Sequence, residues 1–109
     1  MMMEKLVVLG AGESGMGAAI LGKQKGYEVF LSDINIIPLS LQSLLDEKGI
    51  IWESGQHSLN LMEGASIAVK SPGIPGDLPL LDGLRANGTQ ILSEIEFAAL
   101  STSATLIGI

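Results

Sequence analysis

Three glycines form the clearest chemical motif of the sequence: Gly10, Gly12 and Gly15 match the pattern G-x-G-x-x-G. They follow an apolar run and precede a segment with helical spacing, which is the context of a phosphate-binding turn. The first glycine permits a tight turn, the second lets a phosphate approach the backbone, and the third lets helix and strand pack closely. N–H groups at the start of the helix favour an anion. The pattern therefore predicts a bound nucleotide or nucleotide-like phosphate.

Two acidic residues bear on this prediction. Asp33 follows Gly10 by 23 residues, at the end of a second apolar run. A carboxylate at that position can accept hydrogen bonds from a ribose or a base. Glu13 places a negative charge inside the glycine loop. We expect its side chain to point away from the ligand, or the loop to bind a less demanding phosphate than that of a typical dinucleotide.

The segment 71–76, Ser-Pro-Gly-Ile-Pro-Gly, is a second candidate wall of a ligand site. Pro72 fixes its own φ and forces Ser71 into an extended conformation, while Gly73 lets a ligand approach closely. In a doubly wound sheet, ligands bind where the strand order reverses, so we expect this loop to face the glycine loop. The alternative is an ordinary rigid connection. Lys70 could reach a phosphate, but we expect it to be a solvated lysine.

Other catalytic motifs are absent from the sequence. Ser14 lacks the G-x-S-x-G spacing of a nucleophile elbow. His57 is the only histidine, has no metal-site spacing, and is expected to be a surface loop residue. No G-x-x-x-x-G-K-[ST] loop for ATP occurs. Tyr27 and Trp52 are expected to pack rather than to stack on a base. We assign no catalytic residue and no metal ligand.

Short β-branched runs alternate with helix-like segments along the chain. The pattern predicts strands over 5–9, 28–32, 50–53, 66–70 and 90–92, and helices over 14–25, 38–48 and 80–87. Another helix begins at Ser93, with Glu96 at the capping-box position, and a further strand begins at Thr105. Alternating strands and helices form right-handed βαβ units. We therefore predict an α/β fold, a Rossmann-like doubly wound parallel sheet in three αβα layers.

Composition excludes several classes of protein. The chain has 109 residues, 47% of them hydrophobic and 17% charged, no cysteine, and a formal charge of −6. It is too apolar for a disordered segment, offers no disulfide framework, and lacks the basic clusters that bind nucleic acid. The stretch 6–22 is almost uncharged, but Glu13 and five glycines interrupt it, so we expect neither a membrane span nor an export signal. We expect a cytoplasmic protein.

Four segments together resemble a known family. They are 10–17 (Gly-Ala-Gly-Glu-Ser-Gly-Met-Gly), Asp33, 69–75 (Val-Lys-Ser-Pro-Gly-Ile-Pro) and 93–97 (Ser-Glu-Ile-Glu-Phe). The chain resembles, over nearly its whole length, the N-terminal domain of the UDP-N-acetylmuramoyl-L-alanine:D-glutamate ligases of the Mur ligase family. This resemblance implies a UDP-substrate-binding domain over 1–103, with 104–109 as the first strand of a truncated central ATP-binding domain. We expect an excised N-terminal domain of a longer ligase.

The resemblance also assigns roles to residues. The backbone N–H groups of Glu13, Ser14 and Gly15 hold the diphosphate, with the Ser14 hydroxyl as a further donor. Asp33 accepts a hydrogen bond from the uracil, and the 71–73 segment lines the opposite wall. Ile34 and Asn35 stand where the best-studied relatives carry a hydroxyl and then a basic residue, which leaves backbone bonding at Ile34 and removes a charge contact at Asn35. The candidate substrate-binding residues are Gly12, Glu13, Ser14, Gly15, Asp33, Ile34, Asn35, Ser71, Pro72 and Gly73.

The resemblance implies that the parent enzyme uses ATP to phosphorylate the L-alanyl carboxylate of UDP-N-acetylmuramoyl-L-alanine, after which D-glutamate attacks the acyl phosphate. ATP and Mg²⁺ then belong to the central and C-terminal domains, and this chain holds no cofactor and is inactive alone. Two alternatives stay open. One is an NAD(P)-binding Rossmann domain of a dehydrogenase or regulatory module, motivated by the glycines and Asp33. The other is a non-enzymatic interaction module with an empty crevice.

Overall fold

A computed structural model of the chain describes residues 3–107. Five strands form one sheet in which every neighbouring pair is parallel, in the order β3-β2-β1-β4-β5. The predicted α/β, Rossmann-like sheet is thus confirmed. The strands are β1 (Lys5–Leu9), β2 (Glu28–Asp33), β3 (Ile51–Ser54), β4 (Ala65–Lys70) and β5 (Gln90–Ser93).

Helices cover both faces of the sheet, which gives the predicted three αβα layers. The helices are α1 (Glu13–Gln24), α2 (Leu39–Glu47), α3 (Pro79–Ala86) and α4 (Glu94–Ile107), with a short 3-10 helix at Leu59–Met62. Side chains from α1, α2 and α4 pack in one buried cluster, and those from α3 and the 3-10 helix pack in another. Two helical layers therefore enclose the sheet.

The central strand β1 shows why the sheet needs both layers. Leu6 and Val8 belong to the cluster under α1, whereas Val7 and Leu9 belong to the cluster under α3, and all four are fully buried. Successive side chains of a strand point to opposite faces, so a continuously apolar run requires cover on both sides. The run of apolar residues is therefore what places β1 at the centre.

The predicted helix ends follow their sequence signals. α1 ends beside Gly26, which has φ +91°, a conformation that glycine adopts without a steric penalty. At α4, the Glu96 amide donates to Ser93 Oγ at 3.0 Å and the Ser93 amide donates to Glu96 Oε1 at 2.8 Å. This reciprocal pair is the predicted capping box. Tyr27 packs edge-on against Phe97 of α4, with ring centroids 5.9 Å apart.

The strand predicted from Thr105 is wrong for residues 105–107, because α4 continues through Ile107. Residues 108 and 109 of that predicted strand lie outside the described residues. A strand needs a neighbouring strand for its backbone hydrogen bonds, whereas a helix satisfies most of its own. Within residues 3–107, no helix has both the length and the apolar character needed to cross a membrane.

Candidate functional site

The candidate site lies at the carboxyl ends of β1 and β4, the two neighbouring strands at which the chain changes its direction of travel across the sheet. The Gly10 amide continues the β1–β2 pairing by donating to the Ser32 carbonyl at 2.8 Å. On the other side, the Ser71 amide donates to the Leu9 carbonyl at 3.2 Å. The glycine loop and the 71–76 loop are thereby held on opposite sides of one crevice. Such a switch point is where open α/β sheets bind ligands.

A cavity of about 240 Å³ lies between these two loops. It is lined by residues of the glycine loop, of the end of β2, of the loop after β3 and of the loop after β4. Six of the ten predicted site residues line it. The lining residues are Gly10, Gly12, Asp33, Ile34, Asn35, His57, Ser71, Gly73 and Ile74.

The three motif glycines play different structural roles in the turn. Gly10 has φ +108°, where a side chain would strain the turn. Gly15 is buried in α1, and a Cβ added there would collide with the carbonyl oxygen of Gly10. At Gly12 no atom lies within 4 Å of an added Cβ. The first and third glycines therefore shape the turn, and the second leaves open space beside the helix.

Helix α1 begins beside this space. The Met16 amide donates to the Gly12 carbonyl at 2.9 Å, the first bond of the helix, so the amides of residues 13–15 precede the intrahelical ladder. The Glu13 side chain is exposed and does not line the cavity. The Ser14 side chain is also exposed and lies at a separate groove between α1 and α4. Gly15 does not line the cavity either, so of the predicted glycine-loop residues the structure brings only Gly12 to it.

Asp33 ties the glycine loop to the end of β2. Its Oδ2 accepts a hydrogen bond from the Ala11 amide at 2.7 Å, and its Oδ1 accepts one from the Asn35 amide at 2.8 Å. Each carboxylate oxygen has further lone-pair capacity, so a ligand can still donate to it. Asp33 therefore braces the loop as well as lining the cavity, a role that the sequence pattern did not predict.

The opposite wall is braced by Lys70. Its ammonium group donates to the Ile74 carbonyl at 2.8 Å and lies 3.5 Å from the Ser71 carbonyl. The Ile74 amide donates to the Ser71 carbonyl at 3.0 Å, which closes a turn around Pro72 and Gly73. The expectation of a merely solvated Lys70 was wrong, because its charge is used to hold this loop. Gly73 lines the cavity, whereas Pro72 does not.

His57 is a cavity residue that the sequence analysis missed. It was expected to be a surface loop residue, but it is half-buried, lines the cavity, and its Nδ1 lies 2.7 Å from the Ser32 hydroxyl. Burial lowers the pKa of His57 below its usual value, and the nearby carboxylates of Asp33 and Glu53 oppose this effect. A serine within the apolar run of β2 was the available sequence signal, because a buried hydroxyl needs a polar partner such as His57.

Comparisons with known proteins converge on one family. Residues 4–93 match the family model described as "Mur ligase MurD-like, N-terminal domain". A curated relative from Bacteroides fragilis, named UDP-N-acetylmuramoylalanine–D-glutamate ligase, is 52% identical over 105 residues, which are 96% of this chain and 24% of the relative. The chain thus spans about a quarter of the length of the curated relatives that it matches.

Solved structures agree on the fold. The UDP-N-acetylmuramate-alanine ligase from Thermotoga maritima has a TM-score of 0.73 at 22% identity, over 92% of this chain and 23% of that one. An imine reductase from Aspergillus terreus has a TM-score of 0.54 at 15% identity, over 95% of this chain and 38% of that one. These similarities support only the Rossmann-like fold. Of the two structures, the ligase has the higher TM-score.

Proposed function

This chain belongs to the Mur ligase family as a MurD-like N-terminal domain, and we propose that it holds the UDP end of UDP-N-acetylmuramoyl-L-alanine for a ligase that adds D-glutamate. One observation carries the proposal: the glycine loop and the 71–76 loop face each other across a cavity at the switch point of the sheet. A crevice of this kind offers backbone donors on one side and a rigid wall on the other.

The proposed diphosphate site is the start of α1. The amides of Glu13, Ser14 and Gly15 precede the first helical hydrogen bond, so their N–H groups need acceptors from outside the helix. The helix dipole favours negative charge at the same place. The open space at Gly12 lets a phosphate oxygen come close to the backbone. This arrangement supports binding of an anion without any lysine or arginine, which fits the net charge of −6.

The proposed nucleoside site is the end of β2 and the wall opposite. The Asp33 carboxylate provides acceptors for a donor of the uracil, and Asn35 adds an amide group. Ile34 lines the cavity with 57% of its surface exposed, which offers an apolar contact for a base. Ser71 and Gly73 limit the cavity on the far side, and Pro72 stiffens their loop.

The remaining parts of the proposed reaction lie outside this chain. Within residues 3–107, no three His, Cys, Asp or Glu side chains are grouped to hold a metal ion. We assign ATP, Mg²⁺ and the catalytic groups to the central and C-terminal domains of the longer protein, and we expect this chain alone to be inactive. We further propose that residues 1–103 form the domain that docks on those domains, and that the protein acts in the cytoplasm.

Titration of this chain with UDP and with NAD(H) tests the proposal. We expect UDP to shift the amide resonances of residues 12–15 and to raise the melting temperature, since a ligand that binds only the folded state stabilises it. A clear preference for NAD(H) would contradict the proposal and favour a dehydrogenase-type domain. No response to either nucleotide would favour an interaction module.

Two glycine variants make the titration specific. Gly12→Ala adds a methyl group where no protein atom lies within 4 Å, so the chain should fold while the phosphate loses its closest approach. We expect a loss of about tenfold in UDP affinity. Gly17→Ala is the matched control, because an added Cβ there is equally unhindered and Gly17 does not line the cavity. Equal UDP affinities for the two variants would contradict the proposed phosphate position.

A further inference from the structure

The buried hydroxyl of Ser32 is the centre of a hydrogen-bond network beside the cavity. Ser32 is fully buried on β2, and three polar atoms surround its Oγ. These are His57 Nδ1 at 2.7 Å, Glu53 Oε2 at 2.9 Å and the Gln56 carbonyl oxygen at 3.1 Å. Because the hydroxyl has a single hydrogen, it can donate to only one of these atoms at a time.

The donors and acceptors of this network leave one satisfactory assignment. A carboxylate and a carbonyl can only accept, so of the three neighbours only the imidazole can donate to Ser32 Oγ. With a proton on His57 Nδ1, the hydroxyl is free to donate to Glu53 in a charge-assisted bond. With a bare Nδ1, the single hydroxyl hydrogen faces three acceptors, and two of them receive no proton from Ser32. The network therefore favours the Nδ1–H form of His57.

The Glu53 carboxylate is itself held in place. Its Oε2 accepts from the Ser58 amide at 2.7 Å, and its Oε1 accepts from the Ser58 hydroxyl at 2.7 Å. Parallel pairing sets Glu53 beside Ser32 in the sheet. The acceptor that draws the Ser32 hydrogen is thus fixed by β3 and by the turn after it, and this orients the hydroxyl.

We propose that His57, held as the Nδ1–H form by Ser32 and Glu53, offers Nε2 as a hydrogen-bond acceptor to an N–H or O–H donor of the nucleoside in the cavity. The inference rests on the proposed function and adds His57 to the residues that determine which nucleoside the cavity binds. The ring lines the cavity while Nδ1 is engaged with Ser32, which leaves Nε2 as the ring nitrogen for a ligand. Among the side chains that the structure describes, up to Leu100, none hydrogen-bonds to Nε2.

The charges around the ring agree with an acceptor at this position. Burial lowers the pKa of His57, so the ring is neutral near pH 7 and Nε2 keeps its lone pair. The titratable groups that face it are the carboxylates of Asp33 and Glu53. Together with Asp33, the ring makes this side of the cavity rich in acceptors. A uridine can meet these two acceptors with its single base donor, N3–H, on one of them and with a ribose hydroxyl on the other.

The nitrogen spectrum of the ring tests the first half of the inference without any ligand. Since His57 is the only histidine, labelling histidine with ¹⁵N gives one ring to observe. At about two pH units above the ordinary imidazole pKa, we expect a protonated Nδ1 and an unprotonated Nε2. In Ser32→Ala, whose fold is checked by its amide spectrum, the population should move toward Nε2–H. A predominant Nε2–H form in the unchanged chain would overturn the inference.

Two substitutions test the second half. His57→Gln places a polar atom near the position of Nε2, whereas His57→Asn places one near the position of Nδ1. We expect His57→Asn to bind UDP about fivefold more weakly, as for the loss of one neutral hydrogen bond, and His57→Gln to lose less. If His57 served only to anchor its loop to Ser32, the order would be reversed. Equal or reversed affinities therefore overturn the role of Nε2.

Analogues identify the donor, and the unchanged chain separates the two proposals. CDP lacks the N3–H of uracil, and 2′-deoxy-UDP lacks one ribose hydroxyl. The analogue whose affinity is not changed by His57→Asn is the one that lacks the donor to Nε2. If both analogues remain sensitive to the substitution, neither group is the donor and the assignment to N3–H or the 2′-hydroxyl fails. If the unchanged chain does not bind UDP, the proposed function fails and the ligand half fails with it, while the nitrogen spectrum still decides the form of His57.

Discussion

The Asp33 carboxylate and the Ala11 amide are joined by a hydrogen bond of 2.7 Å that spans 22 positions of the sequence. The bond fixes the glycine loop to the end of β2, and the same carboxylate accepts from Asn35 at 2.8 Å. A residue expected only to contact a ligand thus also shapes the loop that would hold the ligand's phosphates. Changes at Asp33 should therefore affect stability and binding together.

Asp33→Asn should lower the free energy of unfolding by about 1–2 kcal/mol, because one of the two bonded oxygens becomes an NH₂ group that faces an N–H donor. UDP affinity should fall as well. Asp82→Asn is the control, since the Asp82 side chain is 78% exposed and its ion pair with Arg85 contributes little. Chemical denaturation measures both variants. Equal free energies of unfolding would show that the Asp33 bonds do not stabilise the loop.

Gly15→Ala should destabilise the chain by about 2 kcal/mol or more, because its Cβ would collide with the Gly10 carbonyl oxygen, which belongs to the backbone and cannot move aside cheaply. Gly17→Ala lies in the same helix with open space around the new Cβ, and should stabilise it by up to about 1 kcal/mol. Thermal melting compares them. A Gly15→Ala chain as stable as the unchanged one would contradict the described contact between α1 and the turn.

Lys70→Met should loosen the 71–76 loop with little change in global stability, since it removes the donor to the Ile74 carbonyl but leaves the strand intact. We expect faster hydrogen exchange at the Ile74 amide, which donates to Ser71, and weaker UDP binding. Lys48→Met, at an exposed residue after α2, is the control. Unchanged exchange at Ile74 would mean that the turn holds without the ammonium group.

Acid should destabilise the chain partly through His57. Burial keeps the pKa of His57 in the folded chain below the value of about 6.5 in the unfolded chain. As the pH falls through this range, the unfolded chain takes up a proton that the folded chain resists, so the free energy of unfolding decreases. His57→Gln removes this contribution. Its melting temperature should therefore depend less on pH between about 7.5 and 5 than that of the unchanged chain, and identical profiles would contradict the burial effect.

Local signals accounted for most of the fold. The boundaries of α1, α2 and α3 lie within one residue of their predicted positions, because apolar spacing and terminating glycines act within a single segment. The 3-10 helix at Leu59–Met62 was not predicted. Its position depends on Met62, which is fully buried against α3, and contacts of that kind are set by the packed fold.

The candidate site was predicted where its residues carry local signals, and missed where sheet pairing brings residues together. The glycine pattern, Asp33 and the 71–76 loop are visible in the sequence itself. The neighbourhood of His57 arises from the register of β2 against β3, which sets Ser32 beside Glu53. No spacing rule within one segment encodes that register. The predicted strand at Thr105 failed for the related reason that a strand requires a partner.

The bond between the Ser71 amide and the Leu9 carbonyl has a consequence for folding. It joins the two walls of the crevice across more than half of the sequence, after the chain has completed β2 and β3 on one side and returned to the other. Contacts of such long range form only after the intervening loop entropy has been overcome. A partly folded chain that contains only β1 to β3 cannot possess the crevice. Nucleotide binding should therefore report that β4 has been added to the sheet beside β1.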